Sequence, residues 1–188
     1  NRILIDTKDN GIYDAMNKVI EYVPSGEMFI FINSGDIICG ELHTNFVDKA
    51  YLLNAYLNSN ESKSNKKIVI KNNYNSGMPF NHQSLICRKE DDMKFDANFR
   101  ISADYLFVLK WTSSQYKTPR LIPIISSSYI IFDGTGISSN KKVLRDFEGL
   151  KAIILEKGIF SILFYCISRL LSLPRFIFHK FGIDLDWL

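Results

Sequence analysis

The feature that most restricts the fold is a change of hydrophobic period within the first 36 residues. Ile3 to Ile5 is a short apolar run closed by Asp6, which reads as a strand. Asp9-Asn10-Gly11 is a turn and helix-start signal. Ile12, Met16, Val19, Ile20 and Val23 then recur at the spacing of one helix face, with Asp14, Asn17, Lys18 and Glu21 away from it. Pro24-Ser25-Gly26 ends the helix. Met28 to Ile32 follows as an uninterrupted apolar run, the pattern of a strand covered on both faces in a parallel sheet. It stops at Asn33-Ser34-Gly35-Asp36. Strand, helix and buried strand make a βαβ unit, so the expected class is α/β.

Further on, the pattern predicts a helix over Phe46 to Leu57, a polar loop from Asn58 to Lys67, and strands at Lys67 to Lys71 and Ser84 to Cys87. Ser102 is placed to cap a helix from Ala103 to about Gln115, and Leu121 to Phe132 reads as extended, broken at Pro123. From Val143 onward the chain reads as helical and very apolar.

Hydrophobic residues make up 46% of the 188 and charged residues 23%, which excludes wholesale disorder and a fibrous repeat. The net charge of +3 is too small to argue for nucleic acid as a partner. Its distribution is uneven. Between Lys157 and Ile183 stand four cations, Lys157, Arg169, Arg175 and Lys180, and no carboxylate. Cys39, Cys87 and Cys166 lie far apart, which argues against a disulfide framework or a thiolate zinc site and fits a reducing compartment. His43, His82 and His179 are equally scattered.

Four segments carry groups capable of chemistry. In parallel α/β sheets ligands bind beyond the carboxyl ends of strands. Asn33-Ser34-Gly35-Asp36 stands at such an end. It reads either as a simple turn or as a carboxylate holding a hard cation that carries a diphosphate. Asp104 follows Ser102 at a helix N-terminus, where the dipole and free N–H groups keep a carboxylate ionised, as a general base requires. The bland alternative is that it stabilises only the first turn. Met78 to Ser84 sets His82 and Gln83 just before a strand, and Gly134 to Ser139 is a hydroxyl-rich turn able to wrap a phosphate.

Taken together and in order, these segments are far more specific. Asp9-Asn10-Gly11-Ile12-Tyr13-Asp14-Ala15-Met16-Asn17-Lys18 and Phe31-Ile32-Asn33-Ser34-Gly35-Asp36 resemble the centre of a glycosyltransferase of family 2. Pro79-Phe80-Asn81-His82-Gln83-Ser84, Phe95 to Tyr105 and Gly136-Ile137-Ser138 resemble segments of its bacterial cell-surface polysaccharide members. The similarity runs from about Ile3 to Ser139. It implies a GT-A fold with a mostly parallel, Rossmann-like sheet flanked by helices, a nucleotide-diphosphate-sugar donor, and transfer with inversion.

By the same resemblance Asp104 matches the catalytic base, and Asp36 matches the last carboxylate of the metal motif, the first being absent. Mg²⁺ or Mn²⁺ is the implied cofactor. Asp9, Asp14, Asn17, Lys18, Asn33 and Ser34 match the donor side, while His82, Gln83, Gly136 and Ser138 match the acceptor and diphosphate side. After Asp104 there is only Lys110-Trp111 and no Q-x-x-R-W element, which implies transfer of a single sugar rather than processive synthesis. The strands that hold the nucleotide base in the family precede the Asp9–Lys18 segment, so the expectation is a GT-A domain that begins part-way through. Residues 1–140 are then the catalytic part and 141–188 a helical amphipathic extension. A catalytically incomplete, membrane-associated module of the same fold is the alternative.

In the extension, Gly158 to Ser168 is an uncharged run of 11 residues, short of the roughly 20 that span a bilayer. The apolar and aromatic residues beyond it are interleaved with Arg169, Arg175 and Lys180. That composition suits an interfacial segment on an anionic membrane, and residues 157–183 are expected to hold the protein at the cytoplasmic leaflet, where lipid-linked acceptors lie. A pair of helices packed on the domain, or a dimer contact, fits the same residues.

Overall fold

A computed structural model of the chain describes residues 6, 8–42, 45–58, 66–133 and 141–167. The expectations for Ile3–Ile5, His43, the Gly134–Ser139 turn with Gly136 and Ser138, and everything from 168 onward lie outside them. In chain order the elements are α1 (Ile12–Glu21), β1 (Met28–Ile30), β2 (Ile37–Gly40), β3 (Ala50–Asn58), β4 (Lys66–Lys67), β5 (Leu85–Arg88), α2 (Ala103–Thr112), β6 (Ile124–Asp133) and α3 (Lys142–Lys157). A further helix, α4, covers 161–167. Single 3₁₀ turns occur at His82–Ser84 and Pro119–Leu121.

The class is α/β, but the sheet is not mostly parallel. Its six strands run β1-β5-β3-β6-β2, with β4 pairing β3 beyond the end of β5. Among the described residues only β3 and β6 pair in parallel; every other pair is antiparallel. The sheet curls strongly into a half-barrel. The cause is local. Along β3 the partner on β6 jumps from Ile125 to Tyr129 between Leu53 and Asn54, so Ser126, Ser127 and Ser128 bulge out of the ladder. The hydroxyls of Ser127 and Ser128 both donate to the carbonyl of Glu41 at the end of β2. This ties the bulge to the neighbouring strand.

Two further expectations are corrected. The stretch Phe46–Leu57, expected as a helix, contains the start and most of the central strand. Ala50 and Leu52 face one hydrophobic cluster while Leu53 and Ala55 face the other. Burial on both sides of a sheet overrides the helix preference of its Ala and Leu residues. Met28–Ile32, expected inside a parallel sheet, forms only the three-residue edge strand β1, antiparallel to β5. Its apolar character is nevertheless used on both faces: Phe29 and Phe31 pack on one cluster, Met28 and Ile30 on the other. A continuous apolar run reports two-sided cover and says nothing of strand direction.

Helix α1 forms as expected, but turned. Tyr13, Met16 and Ile20 are buried, whereas Ile12 and Val19 are 50% and 42% exposed. The Tyr13 ring stacks on Phe95 at 5.6 Å, and this large contact outweighs two aliphatic side chains in setting the buried face. Helix α2 is buried nearly all round, and Ser102 does not cap it: its hydroxyl donates to the Arg145 carbonyl at 3.3 Å. The strand expected at Ser84–Cys87 and the extended stretch after Pro123 are present as β5 and β6. The Lys67–Lys71 strand is reduced to the pair Lys66–Lys67.

Helix α3 packs on α2, placing Ala152 and Ile153 fully inside the same cluster as Phe107 and Leu109. Helix α4 folds back on α3. The Tyr165 hydroxyl donates to the Asp146 carbonyl at 3.1 Å, over Gly149, where a Cβ would stand 2.9 Å from that oxygen. Among the described residues no helix is long and apolar enough to cross a membrane.

The curl makes Gly40 the most constrained glycine. Its φ is +92°, and a Cβ there would lie 2.1 Å from the Ser127 carbonyl oxygen. Gly35, at φ +94°, has open space around it. Gly40→Ala is expected to cost about 2–3 kcal/mol from overpacking and backbone strain, and Gly35→Ala about 1 kcal/mol from strain alone. Denaturant titration of the two variants checks the order; equal losses would remove the bulge contact as a constraint.

Candidate functional site

The site is built on the N-terminus of α2 and on the segment leading into it, whose backbone N–H groups need partners. Glu148 of α3 accepts from the last three N–H groups before the helix, across the interface. Its carboxylate accepts from Arg100 N at 2.8 Å and from Ile101 N and Ser102 N at 2.9 Å each, and it is itself buried. Three charge-assisted bonds thus fix the segment that leads into Asp104.

Asp104 stands in the first turn of α2. Its Oδ1 accepts from Tyr105 N at 2.8 Å and lies 3.3 Å from the Tyr13 hydroxyl, whose hydrogen is shared with the Ile101 carbonyl. Its Oδ2 is 3.1 Å from Nδ1 of His82. Burial pushes the Asp104 carboxyl above the ordinary range, while the neighbouring His82 and the hydrogen bonds from Tyr105 and Tyr13 pull it back. Desolvation, helped by the adjacent Asp104, likewise raises the Tyr13 phenol, so that group stays a neutral donor.

His82 and Gln83 project from one 3₁₀ turn. The Asn81 side chain caps it by accepting from Gln83 N at 2.8 Å, and the Ser84 hydroxyl donates to the Asn81 carbonyl at 2.6 Å. From this turn His82 reaches Asp104 and the Gln83 amide donates to Asp36 Oδ2. Asp36 closes its own loop as well: Oδ2 accepts from Asn33 N at 3.2 Å, and Asp36 N donates to the Asn33 carbonyl at 3.1 Å. The segment Asn33–Asp36 is therefore a turn, closed by the Asp36 carboxylate that also meets Gln83. Ser34, at its tip, is exposed.

Asp36, Gln83, His82, Asp104 and Tyr13 form one linked series across four segments of chain. Behind His82 and Asp104 lies a small apolar cavity walled mainly by Phe29, Phe31, Phe95 and Phe107. It supplies the low dielectric that raises Asp104. Cys87 also faces it, and burial pushes that thiol far above the range in which a nucleophilic thiolate forms.

The expected donor-side residues on α1 are not part of this series. Lys18 Nζ binds Asp9 at 2.8 Å, Asp14 at 3.1 Å and the Lys8 carbonyl at 2.7 Å, and Asp14 also accepts from Asn10 N at 2.9 Å. Together they brace the start of the helix. Asn17 clamps the backbone of Phe95, donating to its carbonyl at 2.9 Å and accepting from its N–H at 2.7 Å. Tyr13 and Glu148 had no part in the sequence expectation. Tyr13 could have been found, since it shares helical spacing with Met16, Asn17 and Ile20; Glu148 carries no signal that separates it from surface glutamates.

Among the described residues no three His, Cys, Asp or Glu side chains gather as a metal centre. Asp36 offers one carboxylate, which fits a hard cation whose other ligands are diphosphate oxygens and water. Set against protein-family models, curated proteins and solved structures, the chain matches none.

The raised Asp104 has a thermodynamic consequence. A carboxyl whose folded value lies above its unfolded one adds stability only below the unfolded value, and that contribution is lost as pH rises through the folded one. Asp104→Asn is therefore expected to gain in thermal stability relative to the unaltered chain as pH increases from about 4 to 7. A difference that shrinks over that range would contradict the burial argument. Glu148→Ala, which strands two buried N–H groups and a part-buried third, should cost about 3 kcal/mol in denaturant unfolding. A loss near zero would show that water replaces the carboxylate.

Proposed function

We propose that this chain is an inverting glycosyltransferase domain of the family 2 type, moving one sugar from a nucleotide-diphosphate-sugar to a hydroxyl of a saccharide or lipid-linked saccharide. The observation that carries the reading is that one turn, His82–Ser84, links the Asp104 carboxylate to the Asp36 carboxylate through adjacent side chains. Displacement at an anomeric carbon needs a proton acceptor on the attacking side and relief of negative charge on the leaving side. The His82–Asp104 pair suits the first task. Asp36 and Gln83 suit the second, with Asn33 and Ser34 beside them. A Mg²⁺ or Mn²⁺ held by Asp36 would neutralise the departing diphosphate. No enzyme nucleophile is needed, in keeping with a single displacement.

The paired-up state of Lys18, Asp9 and Asp14, and the single carboxylate at Asn33–Asp36, favour a second reading: a non-catalytic module of the same fold. Calorimetry with UDP-, GDP- and dTDP-hexoses, with and without Mn²⁺, separates the two. Metal-dependent heat and release of the nucleoside diphosphate support the transferase, and the absence of both supports the module. For the transferase, Asp104→Asn is expected to abolish turnover with folding intact, and near-normal turnover would remove Asp104 from the chemistry.

We place the protein at an anionic membrane surface through α4 and the sequence after it. Ile159, Phe160, Leu163 and Phe164 are exposed, Phe160 at 90%, within an uncharged run that Lys157 and Arg169 bracket. Apolar side chains with flanking cations and no acids complement a lipid surface. Replacing Phe160, Leu163 and Phe164 together by Glu should abolish co-sedimentation with phosphatidylserine vesicles while leaving the fold unchanged. Retained binding would overturn the placement.

A further inference from the structure

We infer that His82, through Nε2, takes the proton from the acceptor hydroxyl, and that Asp104 acts on it as a positioning carboxylate; this rests on the transferase reading. Both oxygens of Asp104 are already engaged. Oδ1 faces Tyr105 N at 2.8 Å and the Tyr13 hydroxyl at 3.3 Å, and Oδ2 faces His82 Nδ1 at 3.1 Å. The carboxyl group is also the more enclosed of the pair, with its side chain 17% exposed against 29% for His82. An incoming sugar hydroxyl reaches the imidazole first.

The ring is held for this task. Asn81 and Ser84 fix the turn that carries it, and Gln83, the next residue, is tied to Asp36. An ionised Asp104 can only accept, so His82 Nδ1 carries its hydrogen toward Oδ2. That leaves the lone pair on Nε2, at the opposite edge of the ring, with no hydrogen-bond partner among the described residues. A carboxylate that selects the tautomer of an imidazole and then stabilises the imidazolium is an established way to make a neutral base stronger.

The step balances. Nε2 removes the hydroxyl proton as the acceptor oxygen forms its bond to the anomeric carbon. The bond from that carbon to the diphosphate oxygen breaks, and its electron pair leaves with the nucleoside diphosphate. His82 ends as an imidazolium against the Asp104 carboxylate. Gln83, on the same turn, and Asp36, to which its amide donates, stay on the leaving-group side.

Two measurements test the assignment. His82→Asn preserves a donor at the place of Nδ1, and so any purely structural bond to Asp104, but has no basic nitrogen at the place of Nε2. With whichever UDP-, GDP- or dTDP-hexose the unaltered chain turns over, kcat is expected to fall about 10²–10⁴-fold at little-changed KM. Free imidazole should restore part of the turnover of His82→Ala. If His82→Asn keeps more than about a tenth of kcat while Asp104→Asn abolishes turnover, Asp104 is itself the base and the inference fails, with the transferase reading intact. The second measurement needs no substrate. Nitrogen-15 NMR of the imidazole should show hydrogen on Nδ1 in the unaltered chain and a shift toward the Nε2–H form in Asp104→Asn. Hydrogen on Nε2 in the unaltered chain would overturn the assignment. An unaltered chain that turns over none of these donors overturns the transferase reading, and the proton-transfer step falls with it.

Discussion

The carboxylate of Glu148 holds three consecutive backbone N–H groups, those of Arg100, Ile101 and Ser102, at the point where an irregular segment becomes helix α2. Much else depends on this contact. It satisfies donors that would otherwise be buried without partners, and it locks α3 to α2. It also fixes the Ile101 carbonyl on which the Tyr13 hydroxyl rests, and through Tyr13 the angle of α1. Asp104, two residues beyond Ser102, inherits its position from all of these. The Asp104 carboxylate is thus set by a group 44 positions later in the chain, and α3 helps to orient the candidate site.

The apolar cavity and the polar series are two parts of one device. Phenylalanines behind His82 and Asp104 exclude water, which raises the cost of the Asp104 charge and strengthens every bond that it accepts. The opposite end of the series, Asp36 with Asn33, stays in a loop at the surface. One short turn therefore joins an enclosed end and an open end.

Asp104, His82, Gln83 and Asp36 each stood at a turn or an element boundary, where position alone allows a purely structural role; it was the family resemblance that grouped them, and the fold brings them into one series. What was not legible were the residues that work through long-range partners. Asn17 reads as a polar residue on a helix and serves as a clamp on Phe95, while Lys18, Asp9 and Asp14 satisfy one another. Local spacing cannot show which of several neighbouring charges will be consumed in bracing their own helix.

By itself the amino-acid order determined the class, the helices at 12, 103 and 142, the strands at 85 and 124, and the turns that carry polar groups. These follow from the local period of apolar residues and from turn chemistry, which act over a few positions. Only the tertiary structure decided that Ala50–Asn58 is the central strand, that the sheet is mostly antiparallel and curled, and that Tyr13 outcompetes Ile12 for the core. Strand pairing is a contest between distant segments for the same edge. Its outcome turns on the three-serine bulge of β6 and on how much apolar surface each arrangement covers, quantities that no local window contains.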